Sequence, residues 1–302
     1  MKNVAVIGLG TMGPGIAATL ARSGLRVSAF DADATKRAKA PAGFATAATV
    51  LTALGVPDRT SAGIAVADTL AACVAGADLV IETVPEDLEL KIRVFREIEA
   101  HVGATCVLAS DTSGIPITRI QAGTRLPGRL IGMHWSNPPH IIPMIEVIPG
   151  EQTAAGVVDA LVAVVRHSGH LPIIIRKDIA GFVENRVLYA VMRECLDLVE
   201  QGVIEPQDLD ACVSWGIGYK LAVVGPMALL DMAGLDIYKA VGSYLNQELS
   251  ARKDVAAYVT ERTAQGRLGI KTGGGIYSYT AEKIAELQGA RARKLVAVRK
   301  AL

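Results

Sequence analysis

The chain has 302 residues, 51% of them hydrophobic and only 4% aromatic, with 30 glycines, which supports a large core in one or two domains built from close-packed α/β layers rather than an all-β sandwich. With 31 basic against 30 acidic residues the formal net charge is +1, so no long-range field draws nucleic acid or an anionic membrane, and an anionic ligand has to be met by local groups.

The chain opens Met-Lys-Asn-Val-Ala-Val-Ile-Gly and goes straight into a strand, residues 4–7, without a cleavable apolar segment; no run of 18 apolar residues follows, and a cytoplasmic protein is expected. The strand ends in Gly8-Leu9-Gly10-Thr11-Met12-Gly13, and helical periodicity follows over 16–21. Gly8 permits the tight turn, Gly10 lets the backbone approach a pyrophosphate, and Gly13 allows close helix packing, while the helix N-terminus supplies N–H groups for the phosphate charge. A second strand, 26–30, ends at Asp31, whose side chain suits a ribose 2′-OH and repels a 2′-phosphate, so NAD is favoured over NADP.

Residues 35–54 read as an alanine-rich helix interrupted at Pro41-Ala42-Gly43. A strand at 64–66, a short helix at 70–74 and a strand at 78–82 follow, with a helix starting near Asp87. In a doubly wound sheet, ligands sit beyond the carboxyl ends of the strands, which places Val84, Glu86 and Lys91 toward the nicotinamide half of the cofactor. The strand at 105–109 opens into Ser110-Asp111-Thr112-Ser113-Gly114. Thr112 or Ser113 either caps a helix at 117–121 or donates a bond to a substrate oxygen.

The strand at 129–133 delivers His134 to the same edge, and 144–148 is a strand carrying Glu146. A neutral imidazole braced by a carboxylate is a general base for a substrate hydroxyl. Pro138, Pro139 and Pro143 stiffen the connection that brings the two together. A helix at 153–168 and a buried strand at 171–176 complete a first domain, residues 1–177, with a second domain over 178–302. The second is helical, with segments at 182–201, 207–213, 226–233, 235–249, 255–265 and 282–300, and one short strand at 275–279. Apolar residues on more than one helix face suggest a homodimer. Cys73, Cys106, Cys195 and Cys212 form no C-x-x-C pair and read as reduced thiols, with no zinc or other metal site.

Together these stretches resemble the L-3-hydroxyacyl-CoA dehydrogenase superfamily over nearly the whole chain. The resemblance is carried by the glycine turn at 8–13, the Glu86 and Lys91 pair, Asp-Thr-Ser at 111–113, His-x-x-Asn-Pro at 134–138, Glu-Val-Ile at 146–148, Gly-Phe-x-x-Asn-Arg at 181–186 and Gly-Pro-Met-x-Leu-Leu-Asp at 225–231. It implies a Rossmann-like doubly wound sheet followed by an all-α dimerisation domain, NAD as cofactor, and His134 with Glu146 as the catalytic dyad. By the same resemblance Ser113 and Asn185 hold the substrate oxygen, Asn137 and Glu86 lie beside the nicotinamide, and Thr11 and Met12 belong to the nucleotide turn.

The residues between 40 and 57 include no lysine or arginine, where the acyl-CoA members of the superfamily carry a lysine-rich hairpin that meets CoA. CoA phosphates would lack their usual partners there, and the resemblance within the superfamily implies instead a small carboxylate-bearing aldehyde, oxidised as its hydrate, with Arg186 or Lys220 facing the carboxylate. A hydroxyacyl-CoA or another hydroxy acid is the alternative substrate, and a non-catalytic NAD-binding protein the remote one.

Overall fold

The computed structural model describes all 302 residues, which divide into two units: Met1–Asn185 with Leu295–Lys300, and Arg186–Lys294 with Ala301–Leu302.

The first unit holds one sheet, formed by β1 (Asn3–Ile7), β2 (Arg26–Phe30), β3 (Ala65–Val66), β4 (Leu79–Glu82), β5 (Val107–Ser110), β6 (Leu130–Trp135), β7 (Met144–Pro149) and β8 (Leu171–Ile174). Their spatial order is β3-β2-β1-β4-β5-β6-β7-β8. All neighbours are parallel except β6 and β7, which are antiparallel. Order reverses between β1 and β4, and that crevice is where such a sheet receives a ligand.

The helices are α1 (Gly13–Arg22), α2 (Ala34–Ala53), α3 (Leu70–Val74), α4 (Leu88–Glu99), α5 (Ile117–Gln121), α6 (Ala155–His167) and the start of α7 (Glu184–Glu200). One buried cluster joins Val4, Val6 and Ile16 to Ile131, Met133 and Val147, and a second joins Ala5, Ile7 and Phe95 to Leu108, Ile148 and Phe182. Strands β1 and β4 read as continuous apolar runs because both of their faces are covered.

Several sequence expectations need correction. Helix α2 runs unbroken through Pro41, because Ala40, Phe44, Ala47 and Leu51 are buried and their packing offsets the lost backbone hydrogen bond. Helix α5 starts after Pro116, and its first-turn Thr118 amide donates to Asp178 at 2.7 Å; Thr112 Oγ1 accepts instead from the Ile115 amide at 3.1 Å, too early to cap the helix. Strand β6 continues to Trp135, so His134 stands within the ladder rather than beyond it. Strand β8 is an edge strand and is not buried, with Leu171 60% and Ile174 50% exposed. The long helix starts at Glu184, because Phe182 adopts φ 48°, outside the helical region.

The second unit is helical. It contains the rest of α7, α8 (Pro206–Cys212), a π-helical turn (Val213–Gly218), α9 (Tyr219–Leu221), α10 (Pro226–Ala233), α11 (Leu235–Glu248), α12 (Ala257–Ala264) and most of α13 (Ala281–Ala301). The strand expected at 275–279 is absent; two isolated bridges, Gly269 with Gly274 and Gly274 with Ser278, occupy that region. Arg252 ties the unit together, pairing with Asp197 at 3.2 Å and Glu200 at 2.7 Å, while Glu200 also accepts from the Tyr258 amide at 2.6 Å. No helix of this unit buries a residue, and Tyr189, Trp215, Met227 and Met232 are all exposed.

Candidate active site

The glycine turn links β1 to α1. Gly8 has φ 104°, and a side chain there would press into the backbone of Thr83, which donates from Oγ1 to the Gly8 carbonyl at 2.9 Å. A Cβ at Gly10, in contrast, would meet nothing within 4 Å. The turn is thus held tightly from below while its Gly10 side is open, as close approach of a pyrophosphate requires. Asp31, at the end of β2, accepts from the Leu9 amide at 2.8 Å and the Asp33 amide at 2.9 Å, so its carboxylate is fixed against the same turn. An open glycine cradle, a helix N-terminus and a positioned acid together fit a dinucleotide.

At the ends of β4 and β5 the polar residues form one connected network. Lys91 is 1% exposed, and its ammonium is 2.9 Å from Glu82 and 3.5 Å from Glu86, donating also to the Val84 carbonyl at 3.2 Å. Ser110 donates to the other Glu82 oxygen at 2.6 Å. Glu86 Oε1 accepts from Thr112 Oγ1 at 2.6 Å and from the Ser113 and Gly114 amides at 3.0 Å each. Lys91 therefore spends its donors inside the protein, and Glu86 ties the loop after β4 to the loop after β5. Ser113 is exposed, its amide engaged by Glu86 and its carbonyl accepting from Asn185 Nδ2 at 2.6 Å.

His134 and Glu146 are directly paired residues of β6 and β7, so their side chains project from the same face of the ladder. His134 Nδ1 lies 2.7 Å from Glu146 Oε2, and the carboxylate as acceptor assigns the proton to Nδ1 and leaves Nε2 as the basic nitrogen. The second oxygen, Glu146 Oε1, accepts from the Val183 and Glu184 amides at 3.0 Å each. Phe182 sets this contact: fully buried and at positive φ, it aims the first amides of α7 at the carboxylate and packs its ring 5.8 Å from the imidazole.

Burial opposes ionisation of both partners, but their mutual bond wins: the His134 value is raised above the ordinary imidazole range, and that of Glu146 is lowered. The charge of Glu184 adds to the rise at His134. Asp111 is itself buried, accepts from the Trp135 amide at 2.8 Å, and is pushed up by burial to about 8. Asn137, joined to Pro138 by a cis peptide bond, begins the connection from β6 to β7. Thiol chemistry has no support here, since burial raises Cys73 to about 12 and Cys106 to about 11.

Sequence reasoning missed Glu82, Asp111, Phe182 and Glu184. The first two sit in apolar strand ends where an acid is unusual, a signal that was available; the roles of Phe182 and Glu184 depend on a backbone turn that leaves no local pattern. Arg186 and Lys220 belong to the second unit.

Residues 3–179 match the NAD binding domain of 3-hydroxyacyl-CoA dehydrogenase, and residues 181–279 match the C-terminal domain of the same enzymes. The chain belongs to this family. It is an NAD-dependent oxidoreductase with a Rossmann-like domain followed by an all-α domain. Over its whole length the dehydrogenase is 56% identical to 5-formyl-3-hydroxy-2-methylpyridine 4-carboxylate 5-dehydrogenase of Mesorhizobium japonicum, covering 98% of that protein. A crystal structure of an enzyme of that name, described as an NAD+ dependent dismutase, superposes with TM-score 0.97 at 57% identity, covering 99% of this chain and 98% of that one. The (S)-3-hydroxybutyryl-CoA dehydrogenase of Ralstonia eutropha superposes less closely, with TM-score 0.75 at 32% identity over 93% of this chain and 99% of that one. L-carnitine dehydrogenase of Nocardiopsis dassonvillei is 35% identical over 78% of this chain and 71% of that protein.

Proposed function

We propose that this dehydrogenase oxidises 5-formyl-3-hydroxy-2-methylpyridine-4-carboxylate, as its hydrate, to the 4,5-dicarboxylate. The observation that carries the reading is the 56% identity that runs through the whole chain, together with a His134–Glu146 pair held at 2.7 Å. A hydrated aldehyde presents a hydroxyl on a carbon that still bears hydrogen, so it reacts as an alcohol does. Neutral His134 takes the hydroxyl proton at Nε2, and Glu146 stabilises the imidazolium that forms. NAD, when bound, supplies the acceptor for the hydride that leaves the same carbon.

Gly8, Gly10, Thr11, Met12, Gly13 and Asp31 hold the cofactor in this reading, with Val84, Glu86, Ser113 and Asn137 toward its nicotinamide end. Lys91 serves by fixing Glu86. The Ser113 hydroxyl and Asn185 hold the substrate oxygen, and Arg186 and Lys220 supply the cations for the ring carboxylate. After Lys36, Arg37 and Lys39 in its first turns, helix α2 carries no further basic residue, which disfavours CoA phosphates. The exposed apolar residues of the second unit are covered by a second copy in a homodimer, because a helical unit with almost nothing buried does not stand alone. Four unpaired cysteines suit the reducing cytoplasm. No single helix is long and apolar enough to cross a membrane, although one bent pair, Pro206–Leu221 with Pro226–Ala233, passes that test by length and composition.

NADH formation from a panel of pyridine aldehydes, hydroxyacyl-CoAs and small hydroxy acids tests the substrate. Turnover of the pyridine aldehyde at least a hundredfold above the others is expected, and preference for a hydroxyacyl-CoA overturns the assignment.

A further inference from the structure

Glu184 is the first residue of α7, where an acidic side chain is ordinary and carries no functional weight by itself. Its two oxygens, however, differ. Oε1 accepts from Ser136 Oγ at 2.6 Å, which fixes the carboxylate from the strand end just beyond His134. Oε2 is buried and has no hydrogen-bond partner. An oxygen of Glu184, one of Glu146 and a ring nitrogen of His134 all lie within 4.8 Å of one another. Leaving a buried carboxylate oxygen without a donor is costly, and such an atom marks a place where a ligand donor belongs.

A divalent cation is one candidate for that spacing, but both oxygens of Glu146 already serve three donors from the protein. The missing partner is better supplied by a neutral O–H. A secondary alcohol has one hydroxyl on its reacting carbon, and His134 uses it. A hydrated aldehyde has two.

We propose that Glu184 is a catalytic residue specific to hydrated aldehydes, its Oε2 accepting the second hydroxyl of the gem-diol. This rests on the aldehyde reading above. In the step itself, the O–H proton of the first hydroxyl passes to His134 Nε2 and the electrons of that bond form the new C=O. The C–H electron pair departs with the hydrogen as hydride to the nicotinamide. The second hydroxyl stays on carbon throughout, held by Glu184, and then ionises to solvent to give the carboxylate. Reduction of the free aldehyde builds an alcohol with one hydroxyl, so Glu184 has nothing to hold in that direction.

The test compares aldehyde oxidation by NAD with reduction of the same pyridine aldehyde by NADH in wild type, Glu184→Gln and Glu184→Asp. Glutamine keeps an acceptor for Ser136 but turns a donor toward the hydrate. The ratio of oxidation to reduction should fall at least tenfold in Glu184→Gln and recover in part in Glu184→Asp, with melting temperature and NAD affinity unchanged. A ratio that stays constant, whether both rates fall together or neither does, overturns the role of Glu184 and leaves the substrate reading intact. A wild-type enzyme that oxidises alcohols but no aldehyde overturns the substrate reading and this role with it.

Discussion

Glu146 meets His134 at 2.7 Å because the proline-containing connection over 136–143 folds back and makes β6 and β7 an antiparallel pair in which the two residues are direct partners. A slip of one residue in that ladder would send Glu146 to the other face of the sheet. The dyad is therefore as rigid as the sheet, and its second oxygen is held by the first amides of α7. Replacing His134 by Ala, or Glu146 by Gln, should lower kcat about 10²- to 10⁴-fold, the range for loss of a positioned base. NAD affinity, read by fluorescence titration, should stay within about twofold. Full turnover in His134→Ala would exclude the imidazole as base.

The oxidation rate should rise with pH through the ionisation of His134, because only the neutral ring accepts a proton. The bond to Glu146 raises that ionisation above the ordinary 6.5, so the rise is centred on the alkaline side of it. In Glu146→Gln the bracing charge is gone and the rise should move to lower pH, while the plateau falls. Stability follows the opposite sign for the ring: the raised value of His134 contributes below about pH 6.5 and is lost as pH climbs through the folded value. Glu146, lowered from 4.5, contributes above about pH 4.5 and loses its share as pH falls through its own folded value.

Asp111 provides an independent pH test. Its folded value, about 8, lies above the unfolded value of 3.8, so the folded chain holds a proton that the unfolded chain releases. Stability should then decline as pH rises from about 4 to about 8. In Asp111→Asn the amide oxygen still accepts from Trp135, and melting temperature should fall less between pH 6 and pH 8 than in wild type. Parallel melting curves for the two proteins would show that Asp111 is ionised throughout.

Gly10 and Gly13 separate binding from folding. An added Cβ at Gly10 meets only open space, so Gly10→Ala should melt like wild type yet bind NAD at least about tenfold more weakly, by obstructing the pyrophosphate. A Cβ at Gly13 would collide with the Gly8 carbonyl, so Gly13→Ala should lower the melting temperature as well. Calorimetry on the two variants, with and without NAD, reads both effects.

The apolar surface of the second unit should be buried between two copies. Light scattering should give twice the chain mass, and Trp215→Glu paired with Met232→Glu should shift the protein toward monomer while lowering its melting temperature. A wild-type monomer at micromolar concentration would refute the dimer.

Much of this protein is determined locally and was legible from residue order alone. Strand, glycine turn, helix and Asp31 form a contiguous unit whose geometry follows from backbone freedom at Gly8 and the reach of one side chain. The helical character of the second half is equally local, a matter of periodicity. The conversion of Pro41 from helix break to helix interior was not legible, because it depends on the packing of Ala40, Phe44, Ala47 and Leu51. Nor was the network in which buried Lys91 joins Glu82 to Glu86, and Glu86 in turn fixes the loop of Ser113. Above all, only tertiary structure decides the proton chemistry. Residue types nominate His134 and Glu146, but ladder register makes them touch, a positive φ at Phe182 turns two amides onto Glu146, and Ser136 leaves one Glu184 oxygen without a donor. Hydrogen bonds and burial act over a few ångströms between residues far apart in the chain, and no local pattern encodes those distances.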